Sequence, residues 1–237
     1  MEPVHAALYG SASLYISNLR SPLCMLSKLQ KSASPSSTNR VKYFVAHLLS
    51  GDVERYYEAL SREISRRFQT LPLHERVPAH ITLKPPFETD EDGVQSVERA
   101  LRSFARTIDP IPLTINGFGK FGFRTIYLNV NNEEAIECVR KSVSFMNTHF
   151  PWMPHPIHEG NKPHISVARF LDRTESRHIW RQLKDSRVRF STYIDNVAIL
   201  RKEERKWRLH TLIPLGTHAE GFSYIEKLTH TRSPLLY

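Results

Sequence analysis

His80-Ile81-Thr82-Leu83 and His164-Ile165-Ser166-Val167 are two copies of one pattern: histidine, apolar, hydroxyl, apolar. Side chains alternate across a strand, so the histidine and the hydroxyl two residues later share one face while the apolar pair faces the other way. Each strand therefore offers an imidazole beside a hydroxyl. The flanks repeat as well: Pro78 stands two residues before the first histidine, Pro163 one before the second, and a cation follows each copy at Lys84 and Arg169. Brought together, the two faces would hold two acid/base groups and two hydroxyl donors around a volume suited to a phosphate.

Working outward, each histidine strand sits in a similar run of elements. Val41 to Leu49 reads as a buried strand and Asp52 to Phe68 as a helix capped by Asp52. The first histidine strand follows, then a helix from Asp90 to Ile108 and a strand from Ile111 to Phe118. The second half gives a strand from Arg124 to Val130, a helix from Asn132 to Phe150, the second histidine strand and a helix from Asp172 to Lys184. Strands near Val188 to Arg201 and Trp207 to Pro214 end the series. Phe44, mid-strand in the first half, precedes His80 by 36 residues, and Tyr127 precedes His164 by 37. A duplicated unit of this order predicts an α+β fold. Its two pseudo-symmetric lobes each carry an antiparallel or mixed sheet with helices on the outer face, and the histidine strands face a central groove.

Composition bounds the rest. The net charge of +9 favours an anionic partner, nucleotide or RNA. No apolar run reaches the roughly 20 residues a membrane helix needs, so no membrane partner is expected. Cys24 and Cys138 suit neither a disulfide framework nor a zinc spacing, which points to a reducing compartment. Residues 1–39 are serine-rich and acidic-poor and read as a disordered tail or an organelle-targeting peptide, with Met25 as an alternative start. The bilobal domain is expected over 40–216 and a C-terminal extension over 217–237. A cytoplasmic monomer is expected, with organelle targeting left open by the tail.

These motifs resemble those of the two-histidine (2H) phosphoesterase superfamily, in particular its 2′-5′ RNA ligase and RNA 2′,3′-cyclic phosphodiesterase group. The resemblance rests on His80 to Lys84, on Pro163 to Arg169 and on the element order from Val41 to Leu215. It implies that His80 and His164 are the catalytic acid and base, and that Thr82 and Ser166 bind the phosphate oxygens. The substrate would be an RNA end or nucleotide bearing a 2′,3′-cyclic phosphate, opened without metal or cofactor, and 2′-5′ ligation is the same chemistry with a ribose hydroxyl as nucleophile. The resemblance leans toward His80 as acid, although the pseudo-symmetric sequence leaves the two roles open. A small cyclic nucleotide or 2′-5′ oligonucleotide substrate, and a nucleotide-binding module without turnover, are the alternatives.

Further candidates for substrate contact are Lys84, Lys162, Arg169, Phe87, Phe121 and Arg124. Lys84 shares the parity of His80, whereas Arg169 lies an odd number of residues from His164 and on an unbroken strand would point away. The stretch Gly117 to Arg124 interleaves glycine, aromatics and cations and reads either as a nucleobase platform or as a glycine turn with core phenylalanines. His149, His155, His158 and His164, with Glu159 nearby, match no zinc spacing, so no metal is expected.

Overall fold

Two four-stranded sheets, ordered β2-β1-β7-β8 and β5-β4-β3-β6 with every neighbouring pair antiparallel, are built by a chain described over residues 40–154 and 162–216 of a computed structural model. The strands are β1 (Val41–Leu48), β2 (His80–Thr89), β3 (Ile111–Phe121), β4 (Thr125–Val130), β5 (His164–Arg169), β6 (Arg189–Ile194), β7 (Asn196–Glu203) and β8 (Lys206–Pro214). Four helices connect them: α1 (Asp52–Phe68), α2 (Glu91–Ala105), α3 (Glu133–His149) and α4 (Arg173–Leu183). The expectations for residues 1–39 and 217–237, and for His155, His158 and Glu159, lie outside the described residues. Among those described, no helix is long and apolar enough to cross a membrane.

The α+β class and the two antiparallel lobes agree with the sequence reading, but the division of strands between lobes does not follow its two halves. β3, expected to close the first lobe, pairs with β4 and β6 in the second. The first sheet is completed instead by the hairpin of β7 and β8. The stretch expected as one strand from Val188 to Arg201 breaks at Asp195, and its halves enter different sheets. Asn196 explains the crossing: its side chain accepts from Leu48 N at 3.0 Å and donates to Leu48 O at 2.9 Å. A buried amide that satisfies both backbone groups at the end of β1 draws the chain across to the first sheet.

One face of each sheet packs on the helices. Tyr43, Val45, Ile81 and Leu83 from the first lobe join Leu113, Ile126, Leu128, Ile165 and Val167 from the second in one continuous core with α1 to α4. The opposite face of β1 and β7 carries a separate, small cluster of Phe44, Ala46, Ala198 and Leu200. β1 and β7 are thus apolar on both faces while β2 and β5 alternate, as expected for inner and edge strands.

The helix starts show how local sequence sets these boundaries. Asp172 caps α4 by accepting from Thr174 N and Glu175 N at 2.7 and 2.8 Å, and Glu175 returns a bond to Asp172 N at 2.7 Å. Asp52 does not cap α1. Gly51 occupies the cap position without a side-chain bond, and Asp52 pairs with Arg55 within the first turn. Asp172→Ala should therefore cost about 1 kcal/mol of stability in a urea titration, while Asp52→Ala should cost about 0.5 kcal/mol or less.

Candidate active site

β2 and β5 are edge strands of different sheets that lie next to each other, and each begins with its motif histidine. The two imidazoles are held alike. His80 Nδ1 lies 2.8 Å from the carbonyl of Pro78, and His164 Nδ1 lies 2.9 Å from that of Lys162. A carbonyl oxygen only accepts, so Nδ1 carries the proton in both rings and the neutral imidazole leaves its lone pair on Nε2. An aromatic ring from the adjacent strand supports each one. Phe44 on β1 meets the His80 ring edge-on at 5.2 Å, and Tyr127 on β4 meets that of His164 at 5.1 Å. Phe121 adds a second contact to His164 at 4.8 Å.

Burial lowers the proton affinity of both rings. His80 is pushed down to about 4, chiefly by desolvation, with smaller contributions from the charges of His164 and Arg169; the Pro78 carbonyl acts in the opposite direction. His164 is also lowered, first by desolvation and then by the charges of Arg169 and Lys162, against the Lys162 carbonyl. Arg169 therefore lies within electrostatic reach of both histidines, and they lie within reach of each other. At neutral pH the groove holds two uncharged imidazoles beside a guanidinium.

Arg169 is on the groove side against its parity in the sequence. The register runs Ile126 to Ala168 and then Tyr127 to Ser166, so Val167 is an extra residue. Val167 and Ala168 are consecutive buried residues, and Arg169 falls opposite Thr125, on the face of Tyr127. A one-residue bulge inverts every later side chain. Ser166, two residues after His164 and opposite Tyr127, keeps the parity of the motif and is partly exposed. Thr82, opposite Ala46, is exposed.

A bulge of the same kind removes one expected contact, and a second register shift keeps Phe87 in the core. In β2, Thr82 pairs with Ala46 and Lys84 with Val45, leaving Leu83 as the extra residue. Lys84 consequently points to the helix side, is 0% exposed and donates from Nζ to Asn147 Oδ1 at 2.6 Å. Its burial lowers its proton affinity. Phe87, opposite Tyr43, is core as well, stacked on that ring and edged by Trp152. Neither residue reaches the groove.

The remaining candidates divide. Phe121 is 42% exposed against Tyr127 and His164, and Lys162 holds its ammonium 5.6 Å from the Tyr127 ring. Arg124 is exposed in the β3–β4 turn, where its carbonyl accepts from Leu171 N. The Gly117 to Arg124 stretch is mostly strand: Gly117, at φ 65°, sits at a register shift, β3 continues to Phe121, and the turn is made at Gly122. His149 stacks on Phe145, and no group of three or more metal-capable side chains occurs among the described residues. The residues missed by sequence reasoning as site residues are Phe44 and Tyr127. Their matching offsets from the two histidines were the available signal.

The family model described as the 2′-5′ RNA ligase superfamily matches residues 54–206, and the chain belongs to that superfamily, the two-histidine phosphoesterases. A candidate phosphoesterase of Geobacillus kaustophilus is 29% identical over 143 residues, which span 59% of this chain and 80% of that protein. One from Oceanobacillus iheyensis is 24% identical over 182 residues, 74% of this chain and 99% of its own length. The crystal structure of TT0787 of Thermus thermophilus superposes with a TM-score of 0.54 at 16% identity, over 75% of this chain and 100% of that one. The two-lobed fold is shared with it.

Gly119 offers a direct test of the support beneath His164. A Cβ there would lie 2.6 Å from Tyr127 Cε2 and Cζ and 2.7 Å from Asn129 Oδ1, so Tyr127 must shift. Gly119→Ala should lower stability by about 1–3 kcal/mol and move the His164 imidazole NMR resonances while leaving those of His80 in place.

Proposed function

We propose that the groove opens 2′,3′-cyclic phosphates on RNA ends or nucleotides by acid/base catalysis from His80 and His164. The observation that carries this reading is the matched anchoring of two imidazoles on neighbouring edge strands, each with its Nδ1 proton committed to a carbonyl and Nε2 left for chemistry. Water attacks phosphorus as one Nε2 takes its proton. The bond to a ribose oxygen breaks, and the other ring, protonated, donates to that oxygen. The product is a phosphomonoester and a free hydroxyl. Thr82 and Ser166 donate to the non-bridging oxygens, and Arg169 balances the charge that develops there. A ribose 5′-hydroxyl in place of water would give the 2′-5′ bond instead. The names of the phosphoesterase relatives are consistent with this class of reaction.

The roles divide by proton affinity, in the reverse of the lean taken from the resemblance. His80, pushed to about 4, is the harder ring to protonate and serves as the base. His164, with Lys162 and Arg169 beside it, regains a proton when the phosphate anion offsets those two cations, and it serves as the acid. The base must be neutral and the acid charged, so kcat/KM should rise with pH through about 4 and fall again below the usual histidine value of about 6.5. The acid limb should vanish in His80→Ala and the alkaline limb in His164→Ala. Loss of the alkaline limb with His80 would reverse the assignment.

The decisive experiment is an assay of the purified chain against nucleoside 2′,3′-cyclic phosphates and cyclic-ended RNA, with the position of the product phosphate determined. Replacing either histidine with alanine should cut turnover roughly 10²- to 10⁴-fold, with the double variant little worse than the poorer single one. Activity should survive exhaustive chelation, because the scheme assigns every proton and charge to side chains. Near-normal turnover in both single variants would eliminate the proposal.

A further inference from the structure

The first sheet has a second feature that the reaction above does not use. Its groove-side face is not covered by a helix among the described residues, and it continues from His80 across three strands. The Phe44 ring that supports His80 meets Trp207 on β8 edge-on at 4.7 Å, and Lys202 on β7 holds its ammonium 5.0 Å from the Trp207 ring. Trp207 pairs across the hairpin with Lys202, and Leu209, opposite Leu200, is 45% exposed on the same face. Three successive contacts of about 5 Å thus lead from the catalytic edge to a cation over an indole.

That end of the sheet is positively charged and poorly compensated. Lys202 is part-buried and has no carboxylate partner among the described residues. Burial, and then the charges of Arg76 and Lys42, lower its proton affinity. Among the described residues, Arg76 reaches only the carbonyl of Arg205, at 3.3 Å, and Lys42 is the one member with an ion pair, an exposed bond to Glu88 at 3.1 Å. Like charges held together cost free energy that a polyanion recovers. An aromatic ring interleaved with cations at the partly exposed end of a sheet face suits stacked bases joined by phosphates.

We infer that this face is a track for single-stranded RNA: a base stacks on the partly exposed Trp207, beside the buried Phe44 that links it to His80, and Lys202, Arg76 and Lys42 hold the phosphates of the strand leading to the reacting end. The direction of the strand rests on the cyclic-phosphate reading, whereas binding to the face does not. A polymer end, rather than a lone nucleotide, is then the preferred ligand.

The test uses the whole chain and a fluorescent RNA of about five nucleotides ending in a 3′-phosphate, followed by anisotropy over a range of salt concentrations. Lys202→Gln should lower the slope of log affinity against log salt by about 0.7, the contribution of one phosphate contact on a single strand. Lys141→Gln, the same charge change on exposed α3, should leave the slope alone. In turnover, the gain in kcat/KM from a mononucleotide to the same RNA with a cyclic end should shrink in Lys202→Gln. An unchanged slope, equal loss in both variants, or displacement by a polyglutamate peptide as effective as by RNA would overturn the track. RNA binding of this form with no opening of any cyclic phosphate would remove the reaction and keep the track; turnover that ignores chain length and Lys202 would do the reverse.

Discussion

Each sheet ends in a histidine strand with an unpaired edge, and the two edges lie side by side without joining into one sheet. An unpaired edge is normally a liability, because its backbone groups invite another strand. Here each edge borders the other lobe, and a shared apolar core beneath fixes their separation. The groove follows from that constraint, since the residues at the start of β2 and β5 are brought opposite one another by packing that involves neither histidine. The imidazoles need only a local anchor, and the carbonyl two residues back provides it in both copies.

What the groove does to its histidines is an electrostatic matter. Desolvation disfavours the imidazolium in both, and Arg169, carried to the groove by a bulge, disfavours it further. Without an anion the groove is therefore short of the proton that an acid catalyst requires. An anion changes the balance, because its charge offsets the guanidinium and favours protonation of a neighbouring ring. In the proposed reaction the site would reach its working charge state with an anion present, and the cation that suppresses protonation in the free chain would then face that anion.

The parity argument that pointed to the candidate site also marks where sequence reasoning stopped. Over the three residues from histidine to hydroxyl, alternation holds, so His80 with Thr82 and His164 with Ser166 were legible. One bulge residue later it fails in both strands: Leu83 turns Lys84 inward, and Val167 turns Arg169 outward. Nothing in the apolar character of Leu83 or Val167 distinguishes a bulge from a regular strand residue, because both are buried in either case. The lobe assignment failed for a related reason. The break at Asp195 and the crossing to β1 depend on an asparagine that satisfies the backbone of Leu48, 148 residues earlier in the chain. Periodicity carries no information about a partner so distant. The helices and most strands were legible because each carries its own apolar stripe, with side-chain caps at α2 and α4 only, and Phe44 and Tyr127 were visible as strand centres before their contact with the histidines was known.

The crossing also breaks the symmetry that the sequence suggested. If each half had closed its own lobe, His80 and His164 would sit in equivalent surroundings and neither would have reason to act first as acid or base. The hairpin of β7 and β8 instead places Trp207 behind Phe44, leaving His80 against an apolar wall. His164 has the hydroxyl-bearing ring of Tyr127, the exposed ring of Phe121 and the Lys162 ammonium over Tyr127. The two rings share an anchor and a motif but differ in how fully water and charge reach them. Unequal proton affinity follows from unequal neighbours, and two histidines that would be interchangeable by motif become a pair whose members hold a proton in different ranges of pH.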